Sequence, residues 1–103
     1  MQNLPQEVEY GNIEYKWKLI DPSREKLDRL VSQLNWRLHE GKGVAIYYIG
    51  VQDNGTTIGL LDVELFKSLN VIKDMTEDLN VCYKIEFICR GGYGRFAKIF
   101  IWR

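Results

Sequence analysis

The residues best suited to grip a ligand lie near the end of the chain, in the run Arg90-Gly91-Gly92-Tyr93-Gly94-Arg95. A guanidinium presents a planar fork of donors to phosphate, an aromatic ring stacks on an unstacked base, and glycines let backbone approach closely. From Phe87 onward there are four basic residues (Arg90, Arg95, Lys98, Arg103) and no acidic one. Between Gln52 and Leu79, six acidic residues face only Lys67 and Lys73. The formal net charge of zero therefore hides a basic region and an acidic one. No global field draws the chain to nucleic acid or membrane, so polyanion binding must come from a local patch. The same residues also suit a solvated hairpin whose charges guard an edge strand.

A second constellation is Trp36-Arg37, followed by Lys42. Counted at about 100° per residue, Trp36 lies opposite the apolar stripe of its helix. Two readings follow: packing beneath the N-terminal arm or a loop, or an exposed partner anchor, since Trp and Arg are typical of interface hot spots.

Catalytic and metal chemistry find little support. His39 is the one histidine, placed where a helix ends, and a surface role is expected for it. Cys82 and Cys89, about 23 Å apart along one strand, cannot bridge and are expected as reduced thiols of a cytoplasmic protein. They supply no zinc spacing. No phosphate-binding Gly-x-x-x-x-Gly-Lys-Ser/Thr loop occurs, so no nucleotide or other cofactor is expected. No apolar run reaches the roughly 18 residues of a membrane span, and Met1–Glu7 lacks the character of a signal peptide.

These side chains must be positioned by elements that periodicity outlines. A loose arm is expected over residues 1–10 of a single domain, 1–103. Ile13, Tyr15, Trp17 and Leu19 alternate with polar residues, predicting a half-buried strand. Asp21 as N-cap and Pro22 at the first position open a helix with the stripe Leu27, Leu30, Val31, Leu34 and Leu38, closed by Gly41 in a left-handed cap. Val44–Val51 is an apolar run expected as a central strand. Asn54-Gly55 predicts a type I′ hairpin turn, with Thr56–Leu60 returning as a strand. Asp62 is expected to cap a second helix with Leu65, Leu69, Ile72 and Leu79 inward. Val81–Cys89 and Arg95–Arg103 complete the order β-α-β-β-α-β-β. The expected fold is α+β, a two-layer sandwich of split βαβ type.

The segments Leu4-Pro5-x-Glu7-Val8-Glu9-x-Gly11-Asn12-Ile13-Glu14-Tyr15-Lys16, Leu34-x-Trp36-Arg37-Leu38-x-Glu40-Gly41-x-Gly43 and Tyr48-Ile49-Gly50-Val51-x-Asp53-Asn54-Gly55, with Gly59-Leu60, carry a resemblance. Residues 4–79 resemble the N-terminal domain of the elongation-factor-like translational GTPases called GTP-binding protein 1 and 2. The Arg90–Gly94 run and the last strand depart from that pattern. In the family the domain precedes a GTPase core, and here the chain stops at Arg103, so a free-standing version is expected. Such a version looks like the ribosome-bound dormancy factors of microsporidia. The resemblance implies a non-catalytic factor, monomeric when bound, that meets rRNA and ribosomal proteins near the tRNA exit (E) site and holds the ribosome idle. On that reading Arg90, Tyr93, Arg95, Lys98, Arg103, Arg37 and Lys42 contact the ribosome, and Trp36 anchors a partner. The alternative is an interaction or regulatory module of a translational GTPase without RNA contact.

Overall fold

The computed structural model describes residues 3–103. Its elements are β1 (Ile13–Lys16), α1 (Arg24–Glu40), β2 (Val44–Ile49), α2 (Asp62–Leu79), β3 (Cys82–Arg90) and β4 (Arg95–Trp102). They form one four-stranded sheet in the order β1-β2-β4-β3. β1 runs parallel to β2, while β4 is antiparallel to both β2 and β3. β2-α2-β3 is thus a βαβ unit split by β4, the α+β arrangement expected from the sequence. The expected return strand over Thr56–Leu60 is contracted to a single bridge between Leu60 and Arg95.

Both helices pack on one face of the sheet. The inward stripe of α1 (Leu30, Val31, Leu34, Leu38) and Leu65, Leu69 and Ile72 of α2 meet Ala45, Tyr47 and Ile49 of β2 and Ala97, Ile99 and Ile101 of β4. On the opposite face a smaller cluster joins Tyr15, Val51 and Phe96, supported by Leu4, Tyr48, Phe87 and Cys89. The first strand departs from its expected alternation. Tyr15 is buried on the far face, and Glu14 is buried among the helices because Arg37 neutralises it there. The strand stops at Lys16, so Leu19 returns to the main core while Trp17 stays partly exposed.

Local stops and starts also differ from expectation. The N-cap of α1 is Ser23, whose hydroxyl accepts from the Lys26 N–H at 3.1 Å; Asp21 instead bends the chain at φ +44°. α2 starts after Leu61, an N-cap without a side-chain acceptor; Asp62 is instead its first helical residue and accepts from Arg95 Nε. Gly41 closes α1 at φ −95°, outside the left-handed region. Its glycine is needed because an added Cβ would lie 1.8 Å from the Val44 carbonyl oxygen. In the turn, the Gly55 N–H donates to Gln52 O at 2.8 Å, the Asn54 side chain accepts from Thr56 N, and only Gly55 has positive φ. A type I′ turn needs positive φ at both central residues, so this reversal is of the type I kind closed by glycine.

The lead-in expected as a loose arm makes specific bonds from residue 3 onward. Leu4 N–H donates to Gly55 O (2.9 Å), Glu7 N–H to Asp53 O (2.8 Å), and the Tyr15 hydroxyl to Pro5 O (2.7 Å). Burial raises the Glu7 carboxyl above the usual carboxylate range, partly offset by the Tyr15 N–H that donates to it, while burial and the neighbouring Tyr48 raise the Tyr15 phenol.

Inside the main core, the fully buried Tyr47 hydroxyl has no hydrogen-bond partner among the described residues. Burial and the Glu14 charge push its ionisation far up. A buried unsatisfied donor costs about 1–3 kcal/mol. Tyr47→Phe is therefore expected to stabilise the fold by about 1 kcal/mol, read as a higher urea midpoint with an unchanged m-value.

Candidate RNA interface

The structure divides the seven predicted contact residues into three groups. Arg90, Tyr93 and Arg95 sit at the β3–β4 turn. That turn is docked: Gly92 N–H donates to Thr57 O (3.0 Å), Tyr93 and Gly94 N–H to Ile58 O (2.7 and 3.1 Å), and Arg95 N–H to Leu60 O (2.9 Å). Gly91 and Gly94 thus serve close backbone packing, and the N–H groups of all three glycines are consumed inside the fold. Arg95 Nε bonds Asp62 Oδ1 at 2.9 Å. Arg90 and Tyr93 remain exposed, the tyrosine by 64%.

Arg37 is the clearest correction. Its neighbour Trp36 is 42% exposed, against the reading that packs it beneath the arm or a loop, with the guanidinium 5.0 Å from its ring centroid. Arg37 itself is buried. Its Nε donates to Glu14 Oε1 at 2.8 Å, and its terminal nitrogens donate to Gly11 O (2.8 Å) and Val8 O (3.0 Å). A guanidinium so enclosed ties α1 to β1 and to the N-terminal arm and is closed to a partner.

Lys98, Lys42 and Arg103 belong to the open side of the sheet. No helix covers this face. Its β4 residues are Phe96, Lys98, Phe100 and Trp102, paired across the ladder with Tyr48, Ile46 and Val44 of β2 and with Lys84 and Cys82 of β3. The Phe96 end is closed by the N-terminal arm, whose Leu4 packs there. Lys98 spans the middle, 3.4 Å from Glu86 and 5.9 Å from the Tyr48 ring centroid. The Trp102 end opens into a groove of about 720 Å³ lined by His39, Lys42, Val44, Phe100, Trp102 and Arg103 among others, with no Asp or Glu side chain. Phe100 and Trp102 lie 5.6 Å apart, tilted by 43°, and Lys84 Nζ is 6.0 Å from the Phe100 ring. Because β4 runs from Arg95 to Trp102, this groove is about 23 Å from the Arg90 turn.

Charge pairing separates these groups further. Lys16, Lys18, Arg37, Arg95 and Lys98 each have an ion-pair partner. Among the described residues, Lys42, Lys84, Arg90 and Arg103 have none, and Arg103 only donates one terminal nitrogen to Asn35. Phe100, Trp102 and Lys84 were outside the predicted set. Their signal lay in the alternation of β4, where Ala97, Ile99 and Ile101 suit a helix-covered core and the opposite side carries large aromatics. The two cysteines are free, and the described residues hold no group of three His, Cys, Asp or Glu side chains placed to bind a metal.

Comparison with known proteins connects this architecture to larger molecules. No family model and no solved structure matches the chain. GTP-binding protein 2 of mouse, and likewise of human, is 51% identical over 74 residues. Over that stretch the chain is homologous to GTP-binding protein 2. The match covers 72% of this chain and 12% of the relative, so the chain spans a small part of that protein's length. GTP-binding protein 1 of Xenopus laevis is 38% identical over 64 residues, 62% of this chain and 10% of the relative. An uncharacterized protein of Acanthamoeba polyphaga mimivirus is 32% identical over 78 residues, 75% of this chain and 42% of that protein. No described helix is long and apolar enough to cross a membrane.

Proposed function

We propose that this chain is a non-catalytic, cytoplasmic ribosome-binding factor that contacts rRNA through the open face of its sheet. The carrying observation is the placement of unpaired cations. On a molecule of zero formal net charge, Lys42, Lys84 and Arg103 remain without carboxylate partners around partly exposed aromatics. Such cations attract phosphates, and such rings accept bases. Homology to part of GTP-binding protein 2, and the resemblance to dormancy factors, support a place on the translation machinery. On this reading the factor binds as a monomer, occupies the tRNA exit-site region and inhibits translation, without bound nucleotide or membrane.

The test is co-sedimentation with ribosomes. At about 50 mM salt the protein is expected in the ribosomal pellet, and with four cations, including Arg90, facing phosphates, affinity should fall roughly a hundredfold by about 200 mM. Protein left in the supernatant at low salt overturns the proposal.

One observation favours a second reading, an interaction module without RNA contact. Leu61, Val63 and Phe66 at the start of α2 are 50–60% exposed, and Trp36 is free on α1. A complex with a translational GTPase that survives nuclease and contains no ribosomal particles would favour it.

A further inference from the structure

We infer that the groove at the Trp102 end of the sheet is a subsite for unpaired ribonucleotides, with bases stacking on Phe100 and Trp102 while Lys42, Lys84 and Arg103 face the phosphates. This rests on the RNA-binding reading above and specifies the kind of RNA.

The floor of the groove decides for bases. Phe100 and Trp102 stand two positions apart on β4, on the face no helix covers, and each residue is partly exposed. Their 5.6 Å separation and 43° tilt hold the rings as neighbouring steps. A base can use such a surface only when its own π-face is free, as in a single strand, loop or terminus; bases of a duplex are already stacked. Stacking is tolerant of sequence because every base has a π-face.

The rim decides for an anion with repeating charge. Lys84 flanks Phe100 from β3, and Lys42 and Arg103 line the other side, with no Asp or Glu side chain in the lining. Lys42 is held at φ +53° in the α1–β2 loop, and Arg103 N–H bonds the neighbouring Gly43 O at 2.9 Å, so both cations project from anchored backbone. A cleft lined by Lys16, Lys26, Arg29, Leu30 and Gln33 is basic and also lacks an Asp or Glu side chain, but it has no aromatic floor, and the cleft at the start of α1 differs in both respects. It is lined by Lys18, Lys26 and Arg29 but also by Asp21, has no aromatic floor, and Lys18 is already paired with Glu64.

The test is fluorescence anisotropy of labelled oligouridylate and oligoadenylate on the full chain at low salt, beside a duplex RNA and a polyglutamate peptide. Single strands are expected to bind more tightly than duplex. Phe100→Leu and Trp102→Leu retain apolar bulk but lose the stacking face, and each should weaken binding roughly tenfold. Lys42→Ala and Arg103→Ala should each reduce the salt slope by about 0.7. Thermal melts establish that the leucine variants fold; should either fail to fold, the Lys42 and Arg103 salt slopes decide alone. Equal affinity for duplex, preference for polyglutamate, or unchanged binding by folded leucine variants overturns the subsite. Ribosome binding without oligonucleotide binding also overturns it and leaves the broader reading standing. Oligonucleotide binding without ribosome binding supports the subsite and removes the ribosome.

Discussion

Arg37→Ala should cost about 3–5 kcal/mol of unfolding free energy, read as a large fall in the denaturant midpoint, because it leaves an uncompensated buried carboxylate. Glu14 is 3% exposed and has two cations near it: Arg37 Nε at 2.8 Å and Lys16 Nζ at 3.4 Å. Lysine remains partly in solvent and cannot replace the enclosed guanidinium. The loss also removes the donors to Gly11 O and Val8 O, so the N-terminal arm should become protease-sensitive before the core unfolds. Arg37→Lys should rescue little, since a single ammonium cannot reproduce three directed bonds. A double-mutant cycle with Glu14→Gln separates the pair from the carbonyl contacts: a coupling energy near zero would place the stability in the carbonyls alone. A loss under about 1 kcal/mol for Arg37→Ala would contradict the enclosed geometry.

The second large effect is expected at Gly59. Its φ is +86°, and an added Cβ would lie 2.4 Å from the Gly94 carbonyl carbon and 2.7 Å from Arg95 N. The left-handed backbone alone costs a side chain about 1–2 kcal/mol, and the clash forces the docked β3–β4 turn away from residues 57–60. Gly59→Ala should therefore cost roughly 2–4 kcal/mol. Gly92→Ala is the matched comparison, for nothing lies within 4 Å of its added Cβ and its φ is not positive; it should stay within about 0.5 kcal/mol of the parent. Equal losses at the two positions would mean that the turn is not seated as described.

These two sites show what could and could not be read from the chain. The stripe of α1, the outward Trp36 and the apolar β2 follow from periodicity, which is a local property. Arg37 does not. It sits next to the exposed Trp36, and only the approach of Glu14, 23 positions earlier, makes its burial tolerable. The glycines at 91 and 94 announce flexibility, whereas their use is close passage of two backbones, which depends on where residues 57–60 lie. Asn54-Gly55 correctly marks a reversal, but its type follows from Gln52 and Thr56 bonding across it. The contact set was legible as residue types and not as a place. Lys42 and Arg103 share a groove, Arg90 and Tyr93 lie at the other end of the sheet, and Phe100 and Trp102 join the first pair only after β4 is set between β2 and β3.

The pairing of β3 with β4 slips between Ile85 and Phe87, so Glu86 stands outside the register. β3 is also an outermost strand of nine residues, and the alternate backbone groups on its free side are open to any passing copy of the chain. The slip divides that side into two short runs, Cys82–Ile85 and Phe87–Arg90, with a local change of twist between them. A second copy cannot zip continuously along it, and in a parallel, in-register pairing Lys84 and Glu86 would each meet their own kind. This interruption of the edge favours dispersal over fibrous self-assembly.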